Sequence, residues 1–89
     1  MEEAIELTFE SPDGIIDCRL EPVRDEDGLY YSATILYPNM VNGYNRSDIY
    51  CHDVRRNRQG VYAFDSMDEN IHPKIRKLEA QIAEAVSKL

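Results

Sequence analysis

The chain has 89 residues, 43% of them apolar and 30% charged, and carries a formal net charge of −7. That length suits one domain, residues 1–89, without room for a large cofactor cavity; the composition excludes a disordered chain and the longest apolar runs are too short to span a bilayer. Ten acids against two arginines place a charge of −8 on residues 1–28, which repels nucleic acid and anionic membranes there and favours a basic partner.

The start, Met1-Glu2-Glu3-Ala4, is acidic and lacks the apolar stretch of a secretory signal, so the expected location is cytoplasmic. Residues 4–10 alternate, with Ile5, Leu7 and Phe9 opposite Glu6, Thr8 and Glu10, which predicts a half-buried strand. Ser11-Pro12-Asp13-Gly14 then predicts a hairpin turn of type I. A second strand is expected over 15–23, with Ile16, Cys18 and Leu20 on one side. Pro22, lacking an amide proton, belongs near its end or on an edge. Asp25-Glu26-Asp27-Gly28 predicts the next hairpin turn.

Residues 29–37 hold Tyr30, Tyr31, Thr34, Ile35 and Tyr37, which suit a pleated surface. Leu29, Tyr31, Ala33, Ile35 and Tyr37 share one face of that strand. The other face carries Leu36, so it is not purely polar. Residues 38–47 show turn residues and no periodicity, which predicts a long loop, a common place for function. A fourth strand is expected over 48–54, a polar turn over 55–60 and a short fifth strand over 61–64.

The period then changes. Ile71, Ile75, Leu78, Ile82, Ala85 or Val86, and Leu89 recur at steps of three and four, the stripe of an amphipathic helix. Pro73 suits a first helical turn and places the start near His72. Ser66 and Glu69 have capping-box spacing, but a helix begun there would enclose Pro73. The expected fold is therefore α+β: an antiparallel β-meander of four to five strands, with one C-terminal α-helix packed on one face, in the order β-β-β-β-β-α.

Chemistry-bearing residues are few and scattered. Cys18 and Cys51 each share a face with isoleucine or leucine, so both are expected as inert core thiols, with His52 exposed. No paired metal-ligand spacing occurs and no phosphate-binding glycine motif is present, so no metal or cofactor is implied. Glu6, Glu10, Asp17 and Glu21 are expected on one face of the first hairpin, interrupted by Arg19; solvated acids of this kind do not make a catalytic pair.

These observations predict a small acidic protein-interaction module, such as an inhibitor, adaptor or accessory subunit, without catalytic activity. The candidate protein contacts are Met40, Val41, Tyr44 and Arg46, on the segment that joins apolar side chains to turn residues. Arg55, Arg56 and Arg58 are candidate anion contacts. The alternative is a nucleic-acid role: direct binding by Arg46, Arg55, Arg56 and Arg58, or mimicry of a nucleic acid by the acidic hairpin. The expected partner is another, basic protein rather than a nucleic acid or membrane, and the chain is expected as a monomer or homodimer.

Overall fold

The computed structural model of the protein describes residues 3–26, 28–41, 44–65 and 70–88; the side chains of residues 40, 41, 44 and 45 lie outside that description. Its strands are β1 (Ile5–Ser11), β2 (Gly14–Asp25), β3 (Gly28–Val41), β4 (Tyr44–Arg56) and β5 (Tyr62–Phe64). They form one antiparallel sheet in chain order, the meander that the tight turns predict. The helical segments α1 (Pro73–Arg76) and α2 (Glu79–Ser87) follow.

Register decides which residues become core. Leu7 faces Cys18, Cys18 faces Ile35, and Ile35 faces Tyr50, so one parity from each strand lines one face. On that face Ile16, Cys18, Leu20, Tyr31, Ala33, Ile35, Tyr37, Val54 and Phe64 are buried. Ile75, Leu78, Ile82 and Val86 of the helical segments close over them, also buried, as the three-and-four spacing predicts. Each such aliphatic side chain contributes about 1.5–3 kcal/mol by leaving water. Ile5, Leu7, Phe9 and Ile71 pack on the margin of this core and stay partly exposed.

The helix start has a local cause. His72 is extended (φ −60°, ψ 138°), the conformation that a following proline favours, and its Nδ1 accepts the Lys74 amide at 3.2 Å. Pro73 then occupies the first helical position, as expected. The helix is not continuous: Leu78 N donates to Ile75 O, three residues back, and this tightened turn separates α1 from α2. The apolar stripe runs through the bend unbroken, so periodicity does not reveal it. The capping pair of Ser66 and Glu69, and Leu89 at the end of the stripe, lie outside the described residues.

Several strand boundaries differ from expectation: Arg55 and Arg56, expected in the polar turn over 55–60, belong to β4 and pair with Ala63 and Tyr62 of β5. Residues 38–41 and 44–47 are strand where a loop was expected: β3 and β4 continue, with Pro38 opposite Ser47, Asn39 opposite Arg46, Met40 opposite Asn45 and Val41 opposite Tyr44; residues 42 and 43 lie outside the described residues. Asn39 Nδ2 donates to Asp48 Oδ2 at 2.9 Å across the pair. The register set lower in the same hairpin carries the pairing outward, and polar strands show no apolar alternation to read. β2 also extends to Asp25. Pro22 lies past Leu20, the last residue that β1 covers, so its missing amide proton interrupts no β1 ladder. Gly14 and Gly28 open β2 and β3 at φ +130° and +116°, where a side chain would be strained.

The β4–β5 turn is closed by backbone bonds from Asn57 N to Val61 O and from Gly60 N to Asn57 O, and braced by one side chain. Asn57 Oδ1 accepts the amides of Gln59 (2.9 Å) and Val61 (3.0 Å), while Gly60 takes φ +80°.

Candidate functional site

The helical segments cover one face of the sheet; the opposite parity remains open. That open face holds Glu6, Thr8 and Glu10 of β1, Ile15, Asp17, Arg19 and Glu21 of β2, Thr34 and Leu36 of β3, and Ile49, Cys51 and Asp53 of β4. Ile49 stands directly opposite Leu36, and Ile15 lies diagonal to Leu36, two residues from its partner Asp17. Ile15 is 55% exposed and Ile49 66%, which makes the three a contiguous apolar patch and not isolated surface residues. Beside it, Thr8, Asp17, Thr34 and Leu36 border a shallow depression of about 400 Å³.

The two thiols part company across the sheet. Cys18 is buried on the covered face, and burial pushes its pKa up to about 11. Cys51 is exposed on the open face, which corrects the expectation of a second core thiol. The expectation took the face of Ile49 as the inner one. Register assigns the inner face instead to Tyr50, His52 and Val54, because these oppose Ile35, Ala33 and Tyr31. His52 is accordingly half-buried, its ring 5.4 Å from that of Phe64, where an exposed imidazole was expected. His72 lies at the helix start, its ring 6.1 Å from Tyr50. Among the described residues, no three His, Cys, Asp or Glu side chains converge as a metal site.

One cation sits among the acids of the first hairpin. Arg19 bridges Glu6 (3.1 Å) and Glu21 (2.9 Å), so the acidic hairpin is not uniformly negative. Asp17 and Glu10 lie exposed near them.

The four arginines singled out by sequence do not form one surface. Arg55 donates to Asp25 (3.1 Å) and Asp65 (3.2 Å), and its guanidinium lies 3.7 Å from the Tyr30 ring centre. Desolvation opposes its charge, but the hydrogen bond and charge of Asp25, with Tyr30 and Asp65, prevail and raise its pKa. Arg56, one residue on, points to the other face and donates to Tyr62 Oη at 3.2 Å. Arg58 is exposed on the turn beyond. Arg46 is exposed nine residues from Arg55 along β4, about 30 Å at ~3.3 Å per residue.

Of the candidate protein contacts, Met40, Val41 and Tyr44 flank the β3–β4 turn, and their side chains lie outside the described residues. Sequence reasoning missed Ile15 and Ile49. Asp53, which shares the parity of Ile49, was the available signal that this side of β4 faces water.

No helix among the described residues is long and apolar enough to cross a membrane. No family model, no curated protein and no solved structure matches the chain.

Proposed function

We propose that the protein is a small acidic interaction module, an inhibitor, adaptor or accessory subunit without catalytic activity, that docks a protein partner on the open face of its sheet. The observation that carries this reading is the exposed pair Ile15 and Ile49 around Leu36, on the face that the helix leaves uncovered. Contiguous apolar surface rimmed by polar groups is the usual mark of a contact site. The turn end of the β3–β4 hairpin, with Met40, Val41, Tyr44 and Arg46, is the second candidate contact. The nucleic-acid alternative has less support, because Arg46 is remote from the other arginines and Arg55 is engaged by two carboxylates.

The test is affinity capture of a partner, followed by repetition with variants that keep the fold. Ile15→Glu with Ile49→Glu should reduce recovery of that same partner at least about tenfold, the effect of losing one or two anchor residues. Met40→Ala with Tyr44→Ala should reduce it less. Both variants should melt as the wild type does. Full recovery with both pairs would refute the docking assignment.

A further inference from the structure

We propose that the outer edge of β1 accepts an extended segment of a protein partner carrying two basic residues four positions apart, adding a sixth strand to the sheet. This rests on the interaction reading above and supplies the chemistry of the partner.

β1 is an end strand, hydrogen-bonded to β2 on one side only. Its ladder runs without a bulge from Ile5 opposite Leu20 to Ser11 opposite Gly14. Native proteins blunt such edges with charged side chains, lysine above all, or with proline, a bulge, a very short strand or a cover; the charges of β1 are Glu6 and Glu10, which deter an acidic strand but attract a basic one. The seven residues of β1 contain no lysine and no proline. The other end of the sheet is different. β5 has only three residues, and the Phe64 amide donates to Glu79 Oε2 at 2.9 Å, so a carboxylate occupies that edge. The two ends belong to one sheet, yet among the described residues only one of them is closed.

The side chains of β1 specify what would pair with it. On the covered face Ile5, Leu7 and Phe9 remain half-exposed while touching the core, so apolar residues of an added strand would extend an existing apolar surface. On the open face the exposed residues are Glu6, Thr8 and Glu10. Residues directly opposite in a neighbouring strand lie about 4.5–5.5 Å away, within reach of an ion pair. A segment with two basic residues four apart, and a small polar residue between them, places both cations against Glu6 and Glu10. Arg19 neutralises only part of this surface, because Glu6, Glu21, Asp17 and Glu10 outnumber it.

A second copy of the chain is the competing occupant, and the charges argue against it. In an antiparallel β1–β1 pair centred on Thr8, Glu6 faces Glu10 twice. Centred on Leu7, Glu6 faces Thr8, but its diagonal neighbours are the other copy's Glu6 and Glu10. Both arrangements gather like charges that destabilise a sheet.

The probe is the capped peptide Val-Lys-Val-Thr-Val-Lys-Val, with a control in which glutamate replaces both lysines. Binding to the full chain is followed by amide chemical shifts. The lysine peptide should bind at least about tenfold tighter than the control at low salt, weaken as salt is added, and shift the amides of β1. Glu6→Lys with Glu10→Lys should reverse the preference. Equal binding of the two peptides, no binding, or shifts confined to the residues around Ile15 and Ile49 would overturn the proposal. Self-association through β1, seen as concentration-dependent mass without peptide, would also overturn it. The peptide assay needs no natural partner, so its failure is distinguishable from a failed capture by the Ile15 and Ile49 surface.

Discussion

The two faces of the sheet are made by the same four long strands, yet they carry opposite kinds of residue. On the covered face Leu20, Ala33 and Ile35 are fully shielded from water beneath Ile75 and Ile82 of the helical segments. One residue further along the same strands, Arg19, Thr34 and Ile49 lie on the open face. Stability is therefore concentrated in one parity, and the other meets water. Pleating makes this separation possible, because successive side chains point to opposite sides.

The largest expected effect belongs to the covered face. Ile82→Ala removes a fully buried side chain packed between helix and sheet, and should destabilise the protein by about 3 kcal/mol. Ile49→Ala, although the same chemical change, should stay within about 0.5 kcal/mol. Urea unfolding of the two variants measures the contrast directly. Similar losses would mean that the open face is covered in solution, by another copy or by a rearranged chain.

Much of this asymmetry was legible in the sequence. The alternation of Ile5, Leu7 and Phe9, and the stripe of Ile75, Leu78, Ile82 and Val86, each mark an apolar surface through residue order alone. A single helix stripe can cover only one sheet face, so an open face was implied. Which parity of β4 faces inward was marked in the sequence only by Asp53, against two apolar neighbours on the same side. Ile49 and Cys51 on one side balance Tyr50 and Val54 on the other, and only cross-strand register with β3 decides between them. The continuation of β3 over residues 38–41 and of β4 over residues 44–47 was hidden for a related reason. Backbone hydrogen bonds extend a hairpin irrespective of side-chain polarity, whereas pattern reading requires one apolar face. The arginines show the limit for sites: adjacency of Arg55 and Arg56 in sequence means opposite faces on a strand.

The cysteines sharpen the same comparison with a chemical readout. Cys51 should react with a thiol reagent in the native protein, and Cys18 should react only when the chain opens. A pKa of about 11, against an ordinary 9.0, leaves about a hundredfold less thiolate on Cys18 before any steric protection. The raised value also links Cys18 to stability. The folded state holds the proton more tightly than the unfolded state, so its contribution is complete below about pH 9 and is lost as pH rises toward about 11. Urea midpoints of the wild type and Cys18→Ala should converge over that window. Parallel profiles would show that the Cys18 thiol ionises alike in the folded and unfolded states, so that burial does not raise its pKa, and rapid modification of both thiols would show that the covered face is open.

The smallest effect expected is at Arg19, and its smallness is informative. Arg19 makes two ion pairs, with Glu6 and Glu21, at 3.1 and 2.9 Å. All three side chains are more than half exposed, so water screens the attraction and long side chains lose freedom to make it. Arg19→Ala should therefore change stability by no more than about 0.5 kcal/mol. The same substitution removes the positive charge that faces Glu6 across the β1–β2 ladder, leaving Glu6, Glu10, Asp17 and Glu21 as a more uniformly negative surface. The lysine peptide should then bind more tightly, and more steeply with salt, at nearly unchanged stability. Contacts that form the fold and contacts that recognise a partner can be tuned separately only if they occupy opposite parities. A large stability loss at Arg19 would show that this ion-pair cluster holds the hairpin together, and the division between the two faces would fail at β1.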